Sequence, residues 1–188
     1  MAKQNTVAEK ILDSALEQAE SSSWELVNLH TVAKTLDISL HEIKNFYPQK
    51  DDLVEAWFDR ADKAVLSEKV SEDFAVLAAH ERVHKVMMLW FLSMSKHRRA
   101  TRQMLYYKLE LGHIHLQVLG IMRISRTVQW FREAALLKTK DIHRIIEELS
   151  LTRVYLCSFA RWLFDDSENS SRTDRYLRAA LKRLRSLN

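Results

Sequence analysis

Residues 28–50 read NLHTVAKTLDISLHEIKNFYPQK, two short apolar-periodic segments that meet at a tight polar turn. Leu29, Val32, Ala33 and Leu36 recur at helical spacing behind Asn28, a good N-cap. Asp37, Ile38 and Ser39 make the turn. Ser39 can cap a second helix, and Glu42 at its third position would complete a capping box. Ile38 and Ile43 point inward. Pro48 cannot continue the second helix, so the break falls at Tyr47. This layout is a helix-turn-helix, and its spacing implies duplex DNA as the partner.

The rest of the chain is expected to be helical too. Its 188 residues hold 2 Gly and 1 Pro, far too few turn formers for a β-rich or α/β chain. A first helix is expected over residues 6–20, with Thr6 and Glu9 as capping box. A fourth starts near Lys50, where Asp51 and Asp52 suit its positive end, and carries Leu53, Trp57, Ala61, Ala64 and Val65. Longer helices follow near residues 72–96, 99–111, 113–137, 140–164 and 172–187. Residues 165–171 (DDSENSS) form the clearest loop, with Ser171 and Asp174 expected to cap the last helix.

Cys157 is the single cysteine, which excludes an internal disulfide and a Cys-rich metal site. No secretory signal opens the chain, and its longest uncharged stretches are too short to span a bilayer, so a cytoplasmic protein with no transmembrane segment is expected. The net charge of +4 is unevenly spread. Residues 1–60 hold 6 Lys+Arg against 11 Asp+Glu, a net of −5, and the remainder carries +9. The segment expected to meet DNA is thus the acidic one, the reverse of the usual footprint.

The N-terminal residues resemble the tetracycline-repressor (TetR) family of regulators, whose signature runs roughly ILDAAL and then TSVRDIAKAAGVSKGTLYHHFPSKDALL. Here ILDSAL stands at 11–16 and VNLHTVAKTLDISLHEIKNFYPQKDDLV at 27–54, without a gap. The resemblance implies an all-α, TetR-like fold of about nine helices. It implies a DNA-binding domain at residues 1–50, helix 4 (50–69) as connector, and a ligand-binding and dimerisation domain at 70–188. It implies a homodimer joined through the last two helices, operator DNA as partner and a repressor role. Leu40, His41, Glu42, Lys44 and Asn45 align with base- or phosphate-facing positions of the recognition helix. Asn28, His30, Thr31 and Lys34 align with backbone-contacting positions, Tyr47 with the aromatic before proline, and Lys50 with a phosphate-binding lysine. The chain departs from the pattern at Asp37, where the family has its turn glycine, at Glu42, where a small residue is usual, and at Lys44, where a tyrosine is usual.

The C-terminal half, ISRTVQWFREAA and then LTRVYLCSFARWLFDDSENSSRTDRYLRAAL, resembles ubiquinone-biosynthesis accessory proteins, which implies an alternative: a non-enzymatic, lipid-binding protein of TetR-like fold without DNA binding. A small hydrophobic ligand or lipid is the expected occupant of the body, with Met87, Trp90, Met94, Tyr106, Tyr107, Met122, Trp130 and Phe131 as candidate lining; ordinary helical core explains most of that set. Arg172, Arg175, Arg178, Lys182, Arg183 and Arg185 surround the Leu stripe of the last helix, as a solvated basic face or as an attachment to anionic lipid.

His80, Glu81, Arg82, Val83 and His84 match HExxH, whose two histidines could bind zinc. Arg82 would put a cation beside the metal and no third ligand follows at the longer motif's spacing, so a solvated helix face is the better reading. His113 and His115, two apart, fall on different sides of a helix. No Ser-His-Asp or Cys-His pattern and no Gly-rich phosphate loop is present. No enzyme activity, metal or cofactor is expected.

Overall fold

The computed structural model describes residues 2–109, 114–184 and 187, with only the backbone described for 2–5, 108, 109 and 114–120. Among these residues the chain forms ten α-helices and no strand: α1 (Ala2–Ser21), α2 (Leu29–Leu36), α3 (Leu40–Phe46), α4 (Lys50–Leu66), α5 (Glu72–Ala75), α6 (Ala79–Ser93), α7 (Arg98–Leu109), α8 (Ile114–Ala134), α9 (Asp141–Trp162) and α10 (Ser171–Lys182). Single 3₁₀ turns stand at Ser95–His97 and Glu168–Ser170. Two compact units result: Met1–Arg60 with His97–Gly112, and Ala61–Lys96 with His113–Asn188.

Several helix limits differ from the sequence reading. α1 starts at Ala2, so Thr6 lies inside a helix already under way and does not open one. The expected helix at 72–96 is broken: α5 ends at Ala75 and α6 begins at Ala79, which makes ten helices where nine were expected. The Arg82 side chain fastens the break. Arg82 donates to the Leu77 carbonyl at 2.5 Å and to the Ala135 carbonyl at 2.7 Å, taking an oxygen that a continuous helix would use. α10 is not capped by Ser171 and Asp174. Its first free N–H groups go to the preceding loop instead: Arg172 N donates to Ser167 Oγ at 3.2 Å and Thr173 N to Asp165 Oδ2 at 2.7 Å. Burial pulls the Asp165 carboxyl up, but hydrogen bonds from Ser167 and Thr173 outweigh it and hold the group at about 2. Asp174 turns to His84.

The first unit packs the α1 stripe (Ile11, Leu12, Ala15, Leu16, Ala19) with Val32, Ile43, Leu53 and Trp57, all buried. Residues 97–107 join this core, for Trp57 Nε1 donates to Thr101 Oγ1 at 2.8 Å and meets the His97 ring edge-on at 5.7 Å. Arg99 donates to the carbonyls of Glu20 and Ser22, closing the C-terminal end of α1. Residues 97–112 add four basic side chains and one acidic one, so the unit holds 10 Lys+Arg against 12 Asp+Glu, a net of −2.

The second unit is built around Trp90, edge-on to Phe131, Tyr155 and Phe159 at 5.4–5.9 Å. A buried carboxylate adjoins Trp90. Asp62 of α4 accepts from Trp90 Nε1 at 2.8 Å, from Arg123 Nη2 at 2.8 Å and from Thr127 Oγ1 at 3.3 Å. Burial pushes the Tyr155 hydroxyl far above its ordinary range, and the Asp62 charge adds to this. A second buried pair, Arg132 Nε to Glu147 Oε1 at 2.8 Å, joins α8 to α9.

His84 of α6, 6% exposed, meets Asp174 of α10 at 2.9 Å. Burial lowers its pKa below 6.5, outweighing the opposing pull of Asp174 and assisted by Arg178. The unfolded chain therefore takes up the proton first, and stability is expected to fall as pH drops below about 6.5. His84→Gln should flatten the dependence of the urea midpoint on pH between about 7 and 5; an unchanged slope would assign the acid sensitivity elsewhere.

Candidate nucleic-acid interface

The turn between α2 and α3 is set by local hydrogen bonds. Asn28 Oδ1 accepts from His30 N at 2.8 Å and opens α2. Asp37 closes it in the left-handed region, φ 52 and ψ 46, with Ile38 N donating to the Ala33 carbonyl at 3.0 Å. Ser39 Oγ then accepts from Glu42 N at 3.1 Å and opens α3. A residue with a Cβ is disfavoured in the left-handed region by about 1 kcal/mol. Asp37→Gly is thus expected to raise stability by up to about 1 kcal/mol, read as a higher denaturation midpoint, and a fall would show that the Asp37 side chain holds the turn.

Ile43 is 1% exposed and fixes which side of α3 faces inward. Leu40, His41, Lys44 and Asn45 lie on the exposed side, and Glu42 is half-buried in the first turn. His30, Thr31 and Lys34 are exposed on α2. These residues stand on the outer sides of the two helices of the helix-turn-helix.

Two others are turned inward. The Tyr47 hydroxyl donates to the Ala8 carbonyl at 3.1 Å, and burial, with the nearby Glu9 charge, pushes its pKa up to about 12. Lys50 Nζ donates to the Glu25 carbonyl at 3.0 Å and stands 5.3 Å over the Trp24 ring. Burial lowers the Lys50 pKa, against the pull of Asp51 and Glu25. An ammonium has three N–H donors, so Lys50 retains donors for a further oxygen. Trp24 is a residue that periodicity passes over. It is fully buried in the loop after α1, and its backbone N–H donates to Gln103 Oε1 at 2.9 Å. A lone tryptophan in the polar run SSSWE is the one signal that marks it.

The acidic residues have specific places as well. Glu9 and Asp13 both pair with Arg60, and Glu20 Oε1 accepts from Ala100 N at 3.0 Å. Those charges are engaged by the unit's own cations and amides.

A TetR transcriptional regulator from Nitrosomonas europaea is 44% identical in sequence, over 94% of this chain and 97% of that one, with a TM-score of 0.84. The chain belongs to the TetR family of transcriptional regulators. A TetR transcriptional regulator from a Rhodococcus species shares the fold at 17% identity, over 97% of this chain and 98% of that one, with a TM-score of 0.65. No family model matches the chain, and no curated protein does.

In this TetR-family protein the candidate ligand-lining residues fall in both compact units. Met87, Trp90, Met94 and Phe131 are buried in the core of the second unit, whereas Met122 and Trp130 are 66% and 42% exposed. Tyr106 and Tyr107 belong to the first unit, Tyr106 exposed and Tyr107 half-buried. The HExxH residues have other partners: His84 meets Asp174, and Arg82 binds two carbonyls. Among the described residues no three His, Cys, Asp or Glu side chains are grouped to hold a metal. His113, the His115 side chain and Arg185 lie outside the described residues. No helix among the described residues is long and apolar enough to cross a membrane.

Proposed function

We propose that this TetR-family regulator binds a palindromic operator as a homodimer and represses transcription until a small hydrophobic ligand releases it. The carrying observation is the exposed side of α3, where Leu40, His41, Lys44 and Asn45 stand together opposite buried Ile43. α3 is the recognition helix, entering the major groove, while Lys34 of α2 and Lys50 at the start of α4 reach phosphates. Residues 1–50 form the DNA-binding domain, α4 the connector within 50–69, and 70–188 the ligand-binding and dimerisation domain. A DNA partner places the protein in the cytoplasm.

The dimer, expected through the last two helices, is carried mainly by α9. Ile142, Ile145, Ile146, Leu149 and Leu156 form an exposed stripe on that helix, 39–66% accessible. α10 offers no comparable face, because Leu177 and Leu181 are fully buried within the protomer and its exposed side is basic. The same burial weighs against the lipid-binding alternative, whose membrane approach would need a free apolar stripe on α10.

The test is selection of bound duplexes from a random library. Enrichment of a two-fold symmetric sequence, bound by two protomers with half-sites one helical turn or a multiple apart, supports the reading. Failure to enrich any sequence would sink it.

A further inference from the structure

Trp24 is fully buried although it stands in the polar run SSSWE, between α1 and α2. The chain folds into a turn there: Leu26 N donates to the Ser23 carbonyl at 3.1 Å and Val27 N to the Trp24 carbonyl at 3.2 Å. One side of α7 holds this loop. Arg99 and Gln103 stand four residues apart and so share that side of the helix. Arg99 donates to the Glu20 and Ser22 carbonyls at 3.2 and 3.1 Å, and Gln103 Oε1 accepts from Trp24 N at 2.9 Å.

Lys50 is anchored on the same loop. Its Nζ donates to the Glu25 carbonyl at 3.0 Å and lies 5.3 Å from the centre of the Trp24 ring. Both anchors, a carbonyl and a ring, thus come from adjacent residues of a loop whose backbone α7 fixes. Lys34 and Lys44 are exposed, whereas Lys50 is half-buried. A lysine ammonium rides on a flexible four-carbon stem, so an unanchored one must be ordered when it meets a phosphate. Lys50 is ordered beforehand and keeps donors for a phosphate oxygen.

We propose that Gln103 is a positioning residue for DNA binding: through the Trp24 backbone it sets the ring and the Glu25 carbonyl that hold the Lys50 ammonium ready for a phosphate. The inference rests on the operator-binding reading above and adds to it a residue outside the helix-turn-helix. Gln103 need not touch DNA; its effect passes through Lys50. Losing the anchor restores the ordering cost, about threefold in affinity for one long side chain and so about tenfold for the two in a dimer.

A double-mutant cycle on the duplex enriched from the random library tests this. Operator affinity is measured by fluorescence anisotropy over a range of salt for the wild type, Gln103→Met, Lys50→Ala and the two together. Gln103→Met keeps the bulk of the side chain and removes the acceptor oxygen. In the wild type it is expected to weaken binding about tenfold and to move the salt slope toward that of Lys50→Ala. Added to Lys50→Ala it is expected to change nothing, whereas added to Lys34→Ala it should cost the same as in the wild type. An equal loss in all three backgrounds marks a merely structural role and overturns the proposal, as does full affinity in folded Gln103→Met. Trp24→Phe keeps the backbone bond and shortens the ring under the ammonium. It replaces Gln103→Met where circular dichroism shows that variant unfolded, and it too should lose affinity only where Lys50 is present; an equal loss without Lys50 overturns the proposal. Operator binding without coupling to Lys50 defeats the positioning role alone, and a wild type that binds no duplex defeats the DNA-binding reading with it.

Discussion

Replacing Lys34 and Lys44 together by alanine is expected to weaken operator binding about 10²–10³-fold near 0.15 M salt and to flatten its salt dependence. Phosphate contacts release counterions, and each contributes about 0.9 to the slope of log K against log salt. Lys34, Lys44 and Lys50 in two protomers offer six contacts, for a slope of about −5; the double variant leaves two, for about −2. Both lysines are exposed and make no ion pair within 4.0 Å among the described residues, so the melting temperature should not move. Lys50→Ala is the instructive contrast. It also removes the hydrogen bond to Glu25 and the ammonium over Trp24, so it should lower both affinity and melting temperature. An unchanged slope in the Lys34/Lys44 variant would defeat the placement of this surface on DNA.

The largest effect on stability is expected at Asp62. Asp62→Ala leaves the Arg123 guanidinium, 8% exposed, without its carboxylate partner at 2.8 Å. Breaking a buried ion pair from one side costs about 3–5 kcal/mol, a large share of the 5–15 kcal/mol that holds a typical domain together. With a urea slope of about 2 kcal/mol/M the midpoint should fall by about 2 M. Removing both charges, as Asp62→Leu with Arg123→Met, takes away the buried cation as well as the pair. Such double replacements are often neutral or stabilising, so the midpoint should recover most of the loss. If the double variant were no better than Asp62→Ala, the cost would lie in Trp90 Nε1 and Thr127, which also bond this carboxylate.

The parts legible in the sequence are those whose causes are local. Asn28, Ser39 and Pro48 act within four residues of themselves, and the structure puts α2, the turn and α3 where those residues imply. Ile43 likewise reveals the inner side of α3, and hence the outer one. What was hidden depends on partners far along the chain. Tyr47 reads as the aromatic before proline, and its hydroxyl bond to Ala8, 39 residues away, is not visible in the sequence. Lys50 reads as a free cation until it meets Glu25, 25 residues away. The break between α5 and α6 has no Gly or Pro to announce it, and the Arg82 side chain that binds the Leu77 carbonyl there also reaches the Ala135 carbonyl, 53 residues away. Asp62 resembles any other acid on a helix, and only the fold surrounds it with Trp90, Arg123 and Thr127. Thr6 shows the converse: a good capping signal goes unused because helical residues precede it.

The first compact unit is assembled from two separate stretches of sequence, and this limits how the protein can be divided. A fragment ending at Arg60 lacks the Thr101 hydroxyl that receives the Trp57 indole, the Gln103 side chain that holds Trp24, and the Arg99 that closes α1. It would also carry the full −5 of its own residues instead of the −2 of the whole unit. Its failure to bind DNA would say little about the native protein. A chimaera with another regulator faces the same constraint: a single crossover after α4 splits one hydrophobic core between two parents, and an exchange that preserves the core needs three crossovers.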